Sequence, residues 1–481
     1  MNAAPMLPAL KTIYDATLGL FAQVVEQDRC ATVLPNLLGA VLEVGRFVAA
    51  LGLGMIQTYA DVRFRQAKAT HRLCSCGKPM EWHAQSEWRH GTQFGDVVVK
   101  DAYAYCRACH ESARPLHGLI GTCAERRSLD LQEKVVDLAA DESCGKAVAK
   151  LERHHPGVAV GRSSALRMLH EHGENARDFV AKKLAWALLD AAKEGRPGGV
   201  IELEVEYDGG MIPVATLEPI PVPEGQEPEL TKVRGLPKRH KNCRWEEAKL
   251  GLVQVPGEVE GRLYTVRPTK ELDEAFKDLL ALACIKGWTE QTHVRGIADG
   301  ARHIRPRMAE AFCGGPFRFI LDRPHAKEHL AEAGGELEKL GGAPKESWAA
   351  SALAKLESGD AIEVVAELRQ QNKGGKNDIL RHAADYFERN GDAVAYKEYR
   401  ERGWSTASSE VESGHRSVVQ VRLKLAGTWW HPDNVKNILV LRMLRVNDWW
   451  AEYWEQQRQQ WRERADDFRS VQPRTKLAPA A

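Results

Sequence analysis

The stretch from Ile201 to Thr216, IELEVEYDGGMIPVAT, decides how the rest of the chain is read. From Ile201 to Tyr207 apolar and acidic residues alternate with period two, the pattern of a strand with one buried face. The turn-rich AAKEGRPGG, ending at Gly199, precedes it, so a new domain opens here with a strand. Asp208 closes that strand. Asp208-Gly209-Gly210 has the composition of a tight turn, which makes Met211–Thr216 a second extended segment.

Forward from this stretch, extended segments at Leu250–Val255 and Arg262–Val266 continue an antiparallel meander. Leu272, Phe276, Leu279, Leu280 and Ala283 then form a helical stripe able to cover one sheet face. HVRGIADG (293–300), ARHIRPRMAEAF (301–312) and FRFILDRPH (317–325) read as strand, helix, strand, and such alternation argues for parallel strands. Asp299 closes the first of these strands and Asp322 the second. With Asp208 they make three strand-terminal aspartates, although Asp299-Gly300 is also turn-like. Carboxyl ends of parallel strands project side chains into one crevice, so acids distant in sequence can meet there. Gathered carboxylates repel unless a divalent cation neutralises them, and hard oxygen donors suit Mg²⁺ or Mn²⁺.

From Ala326 to Arg400 the text is helical, and beyond a Gly403–Ser409 loop two further helices are expected, the second tryptophan-rich as far as Trp461. Trp429, Trp430, Trp449, Trp450, Trp454 and Trp461 are assigned to the core. The basic tail after about Arg469 is expected to fray.

Upstream, residues 125–196 read as three or four helices broken at His154-His155-Pro156-Gly157, a helix-turn-helix-like region with Ser163 and Ser164 placed to cap the helix after the break. Before it lies a small β module, 70–114. Cys74 and Cys76 are followed there by Gly77, and Cys106 and Cys109 form a CxxC about thirty positions on. Four thiolates from two knuckles suit a structural Zn²⁺ in a zinc ribbon, with His71, His83 or His110 as alternative ligands because the first pair is CxC. Residues 1–65 form a helical N-terminal region in which Pro35 suits a first helical turn.

Composition sets the outer bounds. A chain of 481 residues that is 43% hydrophobic and 28% charged can fill about three domains and is not disordered. Its 67 basic and 66 acidic residues nearly cancel, so any anionic partner must be met by local clustering. The longest uncharged run of the most apolar stretch, Phe47–Tyr59, is too short to span a bilayer, and the start lacks the basic opening of a secretory signal. The expected compartment is the cytoplasm. Of 10 cysteines, Cys30, Cys123, Cys144, Cys243, Cys284 and Cys313 are scattered, which favours reduced thiols over a disulfide framework.

The ordered set IELEVEYDGGMIPV, WEEAKLGLV, GIADGARHI, FILDRPHAKEHL and YRERGWSTASSEVESGHRSVVQVRLKLAGTWW resembles the DDE transposases of bacterial insertion sequences, of the Kra and Lre types related to the Mutator group. The cysteine module and the helices before Gly199 resemble that family's N-terminal half, and the likeness covers roughly residues 70–455.

The resemblance implies an α/β, RNase H-like catalytic domain over 199–455 with a helical insertion at about 328–400, followed by a C-terminal helix end and tail at 456–481. It makes Asp208 and Asp299 the first two catalytic acids and Glu412 the third, with Glu410 as a rival. Asp322 and His325 match an accessory DxxH element. The family has glycines before its glutamate where this chain has SSEVES.

Mg²⁺ or Mn²⁺ held by Asp208, Asp299 and Glu412, double-stranded DNA (element ends and target) and a homo-oligomer on DNA are likewise implied. The alternative is an inactive, transposase-derived DNA-binding protein; a simple metal-dependent nuclease is a third reading. For DNA contact, Lys232–Lys249 carries seven Lys or Arg against two Glu and is read as a loop beside the first acid, with Lys238, Arg239, Lys241 and Lys249 as contacts. Arg416, Arg422 and Lys424 are further candidates. His325 is assigned a hydrogen-bonding role and His329 a surface place.

Overall fold

The computed structural model describes residues 15, 37–70, 73–113, 126–193, 199–222, 225, 227–231, 235–258 and 260–470. Pro35, His71, Cys30, Cys123, Lys232, Arg234 and the tail beyond Ser470 lie outside these residues. Two compact units divide the chain, one of residues 1–169 with 451–481 and one of residues 170–450.

In the first unit, α1 (Leu37–Thr70) lies against the hairpin of β1 (Glu81–Thr92) and β2 (Gly95–Tyr105), to which β3 (Ser112–Ala113) adds a short third strand. Ala60 and Phe64 of the helix meet Val97, Val99 and Ala102 in one apolar cluster. Gln57 covers the free edge of β2, its amide bonding both the N–H and the carbonyl of Val98 at 2.8 and 2.9 Å. Three helices follow, α2 (Leu129–Asp141), α3 (Cys144–His154) and α4 (Arg162–Ala191), the last running on into the second unit. The expected break at His154–Gly157 is present. Ser163 and Ser164 do not cap α4, because the helix starts one turn earlier on the carbonyl of Gly161, which accepts the Ser164 and Ala165 amides.

The second unit is built on five strands: β4 (Glu202–Pro219), β5 (Arg239–Gln254), β6 (Leu263–Pro268), β7 (His293–Ala298) and β8 (Phe317–Leu321). Their order is β6-β5-β4-β7-β8; β4, β5 and β6 pair antiparallel, while β7 and β8 run parallel to β4 and to each other. β4 is not broken at Asp208-Gly209-Gly210. It continues as one strand of 18 residues, because β5 pairs with it from Glu204 to Pro219. The glycines serve close approach instead of a turn: a Cβ at Gly209 would lie 2.6 Å from Lys249 Nζ and one at Gly210 2.7 Å from His415 Nδ1. Likewise, Arg239–Lys249 is not a loop but the first two thirds of β5, forming with the end of β4 a long two-stranded arm.

Helices cover both faces of this sheet. On the Tyr207 face lies α5 (Leu272–Ile285), with the Phe276 ring centred 4.8 Å from that of Tyr207. α6 (Ile304–Ala311) links β7 to β8. The helical stretch expected after β8 is present as α7 (Arg323–Lys339), α8 (Lys345–Glu357), α9 (Ala361–Gln371), α10 (Asp378–Asn390) and α11 (Tyr396–Glu401).

The opposite face takes α12 (Ser409–Gly414), where a Cβ at Gly414 would lie 2.9 Å from Leu250 Cδ2. His415–Gln420 then winds as a π-helical turn into α13 (Val421–Leu423). Arg442, from α14 (Pro432–Val446), donates to the carbonyls of Ser417 and Val418 that this winding leaves open. The chain after the Gly403–Ser409 loop thus holds more helices than the two expected, ending in α15 (Trp450–Ser470). Asn447 covers the outer edge of β6 by bonding the backbone of Tyr264. Trp449 and Trp454 are buried as expected, whereas Trp429, Trp430, Trp450 and Trp461 are only half-buried. No helix among the described residues is long and apolar enough to cross a membrane.

Candidate active site and cysteine cluster

Parallel pairing of β4 with β7 ends at Tyr207 opposite Ala298, so Asp208 and Asp299 are the next residues on neighbouring strands. Strands so paired lie about 4.8 Å apart, which makes the two aspartates neighbours across the strand ends. Burial raises the pKa of Asp208, the Asp299 charge adds to the rise, and His415 and His325 oppose it. Asp299 is held from below: its backbone carbonyl accepts the Tyr386 hydroxyl at 2.7 Å and its Oδ1 the Ala301 amide at 2.9 Å. Gly300, at φ +75°, makes this the true turn of the two Asp-Gly pairs. α10 thereby fixes Asp299, since it supplies both Tyr386 and Asn390, which bonds the Gly300 carbonyl.

Asp322 follows β8 and caps α7, accepting the His325 amide at 3.0 Å and its Nδ1 at 2.5 Å through one carboxylate oxygen. Its other oxygen accepts both the amide and the hydroxyl of Ser408, at 2.7 and 3.0 Å. Burial alone would raise the Asp322 pKa; the His325 ring and the Ser408 amide more than reverse this and hold it below the ordinary value. The same bond pushes His325 up to about 9, helped by the charges of Asp322, Asp208 and Asp299. Asp208, Asp299, Asp322 and His325 therefore form one electrostatic unit. His329 is not simply at the surface, for its ring lies 4.0 Å from that of Tyr386.

The two rival glutamates part company. Glu410 pairs with Arg262 at 2.8 Å. Glu412 is 64% exposed and paired only along its own helix, with Arg416 at 2.7 Å. Ser408, Glu412 and His415 recur at helical spacing on one face, and the outer two touch Asp322 and the Asp208 carbonyl. Glu412 thus stands on the site's side of α12 with its carboxylate turned outward. The serines before it impose no left-handed backbone, since Ser408 sits at φ −81°.

Several neighbours carried no signal in the sequence. Glu206, read as solvent-facing by its alternation, is fully buried, accepts the Val411 amide at 2.7 Å, and is pushed up to about 8 by desolvation. His415 bonds the Asp208 carbonyl at 3.3 Å and is held below its usual range by burial, as is His303 near Asp299. Lys249 is corrected from an outward contact: its side chain is 4% exposed, pairs with Glu247 at 2.9 Å and lies over the Tyr207 ring. Arg422 is corrected too, being buried with its guanidinium 4.4 Å from the Trp430 ring centre. Arg239, Lys241, Arg416 and Lys424 are exposed; Lys238 is half-buried and pairs with Glu229. Lys241 lies 5.4 Å from the Trp429 ring centre, beside the 55% exposed Trp245.

In the other unit, the Sγ atoms of Cys74, Cys76, Cys106 and Cys109 lie within 4.8 Å of one another and could hold a metal such as zinc. Cys74 and Cys109 are 3.3 Å apart and Cys76 and Cys106 3.6 Å, near the roughly 3.8 Å edge of a tetrahedron with ~2.3 Å Zn–S bonds. The Cys109 backbone amide, outweighing burial, lowers Cys106 to about 7. The Glu111 amide acts the same way on Cys109, but neighbouring thiols and burial push it up to about 12. The set cannot ionise together without a cation. Glu111, unforeseen in the sequence, accepts from Cys74 at 3.1 Å. His83 and His110 are not in the cluster; His110 bonds the Tyr105 hydroxyl instead.

Among the described residues this is the one group of three or more potential ligands so closely gathered; Asp208, Asp299 and Glu412 do not form such a trio. Asp208 and Asp299 alone offer the one or two carboxylates that Mg²⁺ ordinarily takes alongside water and phosphate oxygens, so the pair fits that ion. Compared with protein-family models and with curated proteins, the chain matches none.

Proposed function

We propose that the chain is a DNA transposase that binds the ends of an insertion sequence and performs metal-dependent phosphodiester cleavage and strand transfer. The observation that carries this reading is the convergence of Asp208 and Asp299 at the ends of paired parallel strands, with His325, held by Asp322, feeling the charge of both. The strand order, three antiparallel strands flanked by two parallel ones, supports an RNase H-like catalytic domain. A carboxylate-held pair of Mg²⁺ ions would activate the attacking oxygen and neutralise the leaving one. In this reading Asp208, Asp299 and Glu412 would hold those ions.

The chain's own groups do the positioning. His325, cationic at neutral pH, sits where a phosphate oxygen needs a donor, and Asp322 fixes its ring. Arg239, Lys241 and Lys238 on the arm, with Arg416 and Lys424 beyond Glu412, supply the local positive charge that the balanced total lacks. A homo-oligomer on paired ends belongs to the same reading, and a zinc-bound cysteine module with the helices after it would contribute end recognition.

The test is Mg²⁺-dependent nicking and joining of DNA carrying the element ends. Asp208→Asn and Asp299→Asn are expected to bind that DNA within about twofold of wild type and to lose cleavage by at least about 100-fold, since even a residue behind a metal ligand costs 10- to 100-fold. Wild-type cleavage in both variants would overturn the assignment. One observation favours a second reading, an inactive DNA-binding descendant: Glu412 is paired with Arg416 and not drawn in beside Asp208. End-specific binding with no metal-dependent nicking would establish it.

A further inference from the structure

We infer that Glu206 is a positioning residue that holds the Ser408–Glu412 segment against the sheet and so sets where Glu412 stands; this rests on the proposed role of Glu412.

The first turn of α12 begins with backbone N–H groups that need acceptors, ordinarily supplied by the side chain just before the helix. Ser408 occupies that position and does not cap. Its hydroxyl and its amide are both committed to Asp322 Oδ1. The missing acceptor comes from β4, where Glu206 Oε2 takes the Val411 amide at 2.7 Å. A carboxyl in a fully buried strand position is costly unless it satisfies a group that has no other partner, and the helix start is such a group. Arg262 secures the intervening residue through Glu410.

Residues 408, 410 and 411 are therefore each tied to a different strand or strand end: Asp322 after β8, Arg262 before β6, and Glu206 in β4. Glu412 is the next residue. Its backbone is fixed by these three ties, and its own N–H takes part in none of them, donating instead to the Ser408 carbonyl at 3.2 Å. The row Glu204, Glu206, Asp208 thus divides its tasks along one face of β4. Glu204 is bound by Gln254 and stands near Arg295, Glu206 binds the helix start, and Asp208 faces the site.

The experiment compares full-length wild type with Glu206→Leu, Glu206→Gln and Ser408→Ala. Hydrogen exchange at the amides of residues 410–412 reads the clamp without reference to activity. Glu206→Leu is expected to speed that exchange about five- to tenfold, the size of a lost helix cap, while amides of the β4–β5 ladder keep their protection. Glu206→Gln, which keeps an acceptor at the same reach, restores slow exchange. Ser408→Ala, a milder change in case the leucine variant does not fold, loosens the same segment.

End-specific cleavage is expected to fall about tenfold in Glu206→Leu, with DNA affinity and melting temperature unchanged or raised, and to return in Glu206→Gln; a merely structural residue would lower stability along with cleavage. Unchanged exchange at 410–412, or faster exchange with wild-type cleavage, would overturn the inference. Should wild type itself fail to cleave, the transposase reading falls, and exchange alone decides whether the clamp exists.

Discussion

Asp322 and His325 make the most sharply defined prediction at the level of single residues. His325 carries a folded pKa of about 9 against an ordinary value near 6.5, so its ion pair contributes stability in full below that ordinary value and loses it as pH rises through about 9. Asp322 is shifted the other way, downward, so its share is present above the ordinary carboxyl range and lost as pH falls below it. In the metal-free chain, NMR titration of His325 is expected to give a midpoint near 9, and Asp322→Asn to return it toward the ordinary value. Adding Mg²⁺ should lower the midpoint, since Asp208 and Asp299 would then be neutralised. A midpoint near 6.5 in the unsubstituted chain would remove His325 as a standing cation. The motif FILDRPHAKEHL placed this pair in the sequence, because strand end, cap and histidine are local features. Glu206 and Lys249 were out of reach for the opposite reason. Their burial is imposed by residues far along the chain, Val411 covering one and a pairing across β4 enclosing the other.

Elements show the same division between local and distant causes. β7, β8 and α5 lie where the sequence reading puts them, since each is short and its pattern is set by neighbouring residues. β4 departs from expectation at Asp208-Gly209-Gly210, where composition says turn and the structure keeps an unbroken strand. The space a side chain would need there is occupied by Lys249 and by His415, a residue more than two hundred positions away. A methyl at Gly210 would press on a buried imidazole that cannot swing aside. Gly210→Ala is therefore expected to destabilise the second unit by about 1–3 kcal/mol, the usual cost of overpacking. It should also reduce cleavage by shifting the helix that carries Glu412. Urea unfolding reads the first effect, and a wild-type midpoint would show that His415 does not need the glycine. Residues 239–249 of the basic stretch depart from expectation for a related reason: charge density suggested a loop, while sixteen consecutive ladder partners make Arg239–Gln254 a strand.

For the whole molecule, the division into two units has a thermodynamic counterpart. The cysteine cluster belongs to the unit of residues 1–169 and 451–481, and the carboxylate site to the unit of residues 170–450. Chelating zinc, or replacing Cys106 by Ser, is expected to lower the unfolding transition of the first unit and abolish stoichiometric zinc binding, while a transition carried by the five-stranded sheet persists. Calorimetry with and without chelator distinguishes this from a single cooperative loss. Spacing alone was enough to pair the four cysteines, because thiol pairs are rare without a metal to gather them. It could not place Glu111 beside them.

The π-helical turn at His415–Gln420 carries a consequence for how this chain can vary. Such a turn holds one residue more than ordinary winding, so removing one lets the segment close to α winding with everything downstream in place. His415 would keep its place over β4, Arg422 the Trp430 ring and Leu423 the interior, and the change would fall on the Ser417 and Val418 carbonyls that Arg442 takes. An insertion in the same segment has no such slack and would turn Arg422 and Leu423 away by about 100°. The segment is therefore expected to take the loss of one residue more readily than the gain of one.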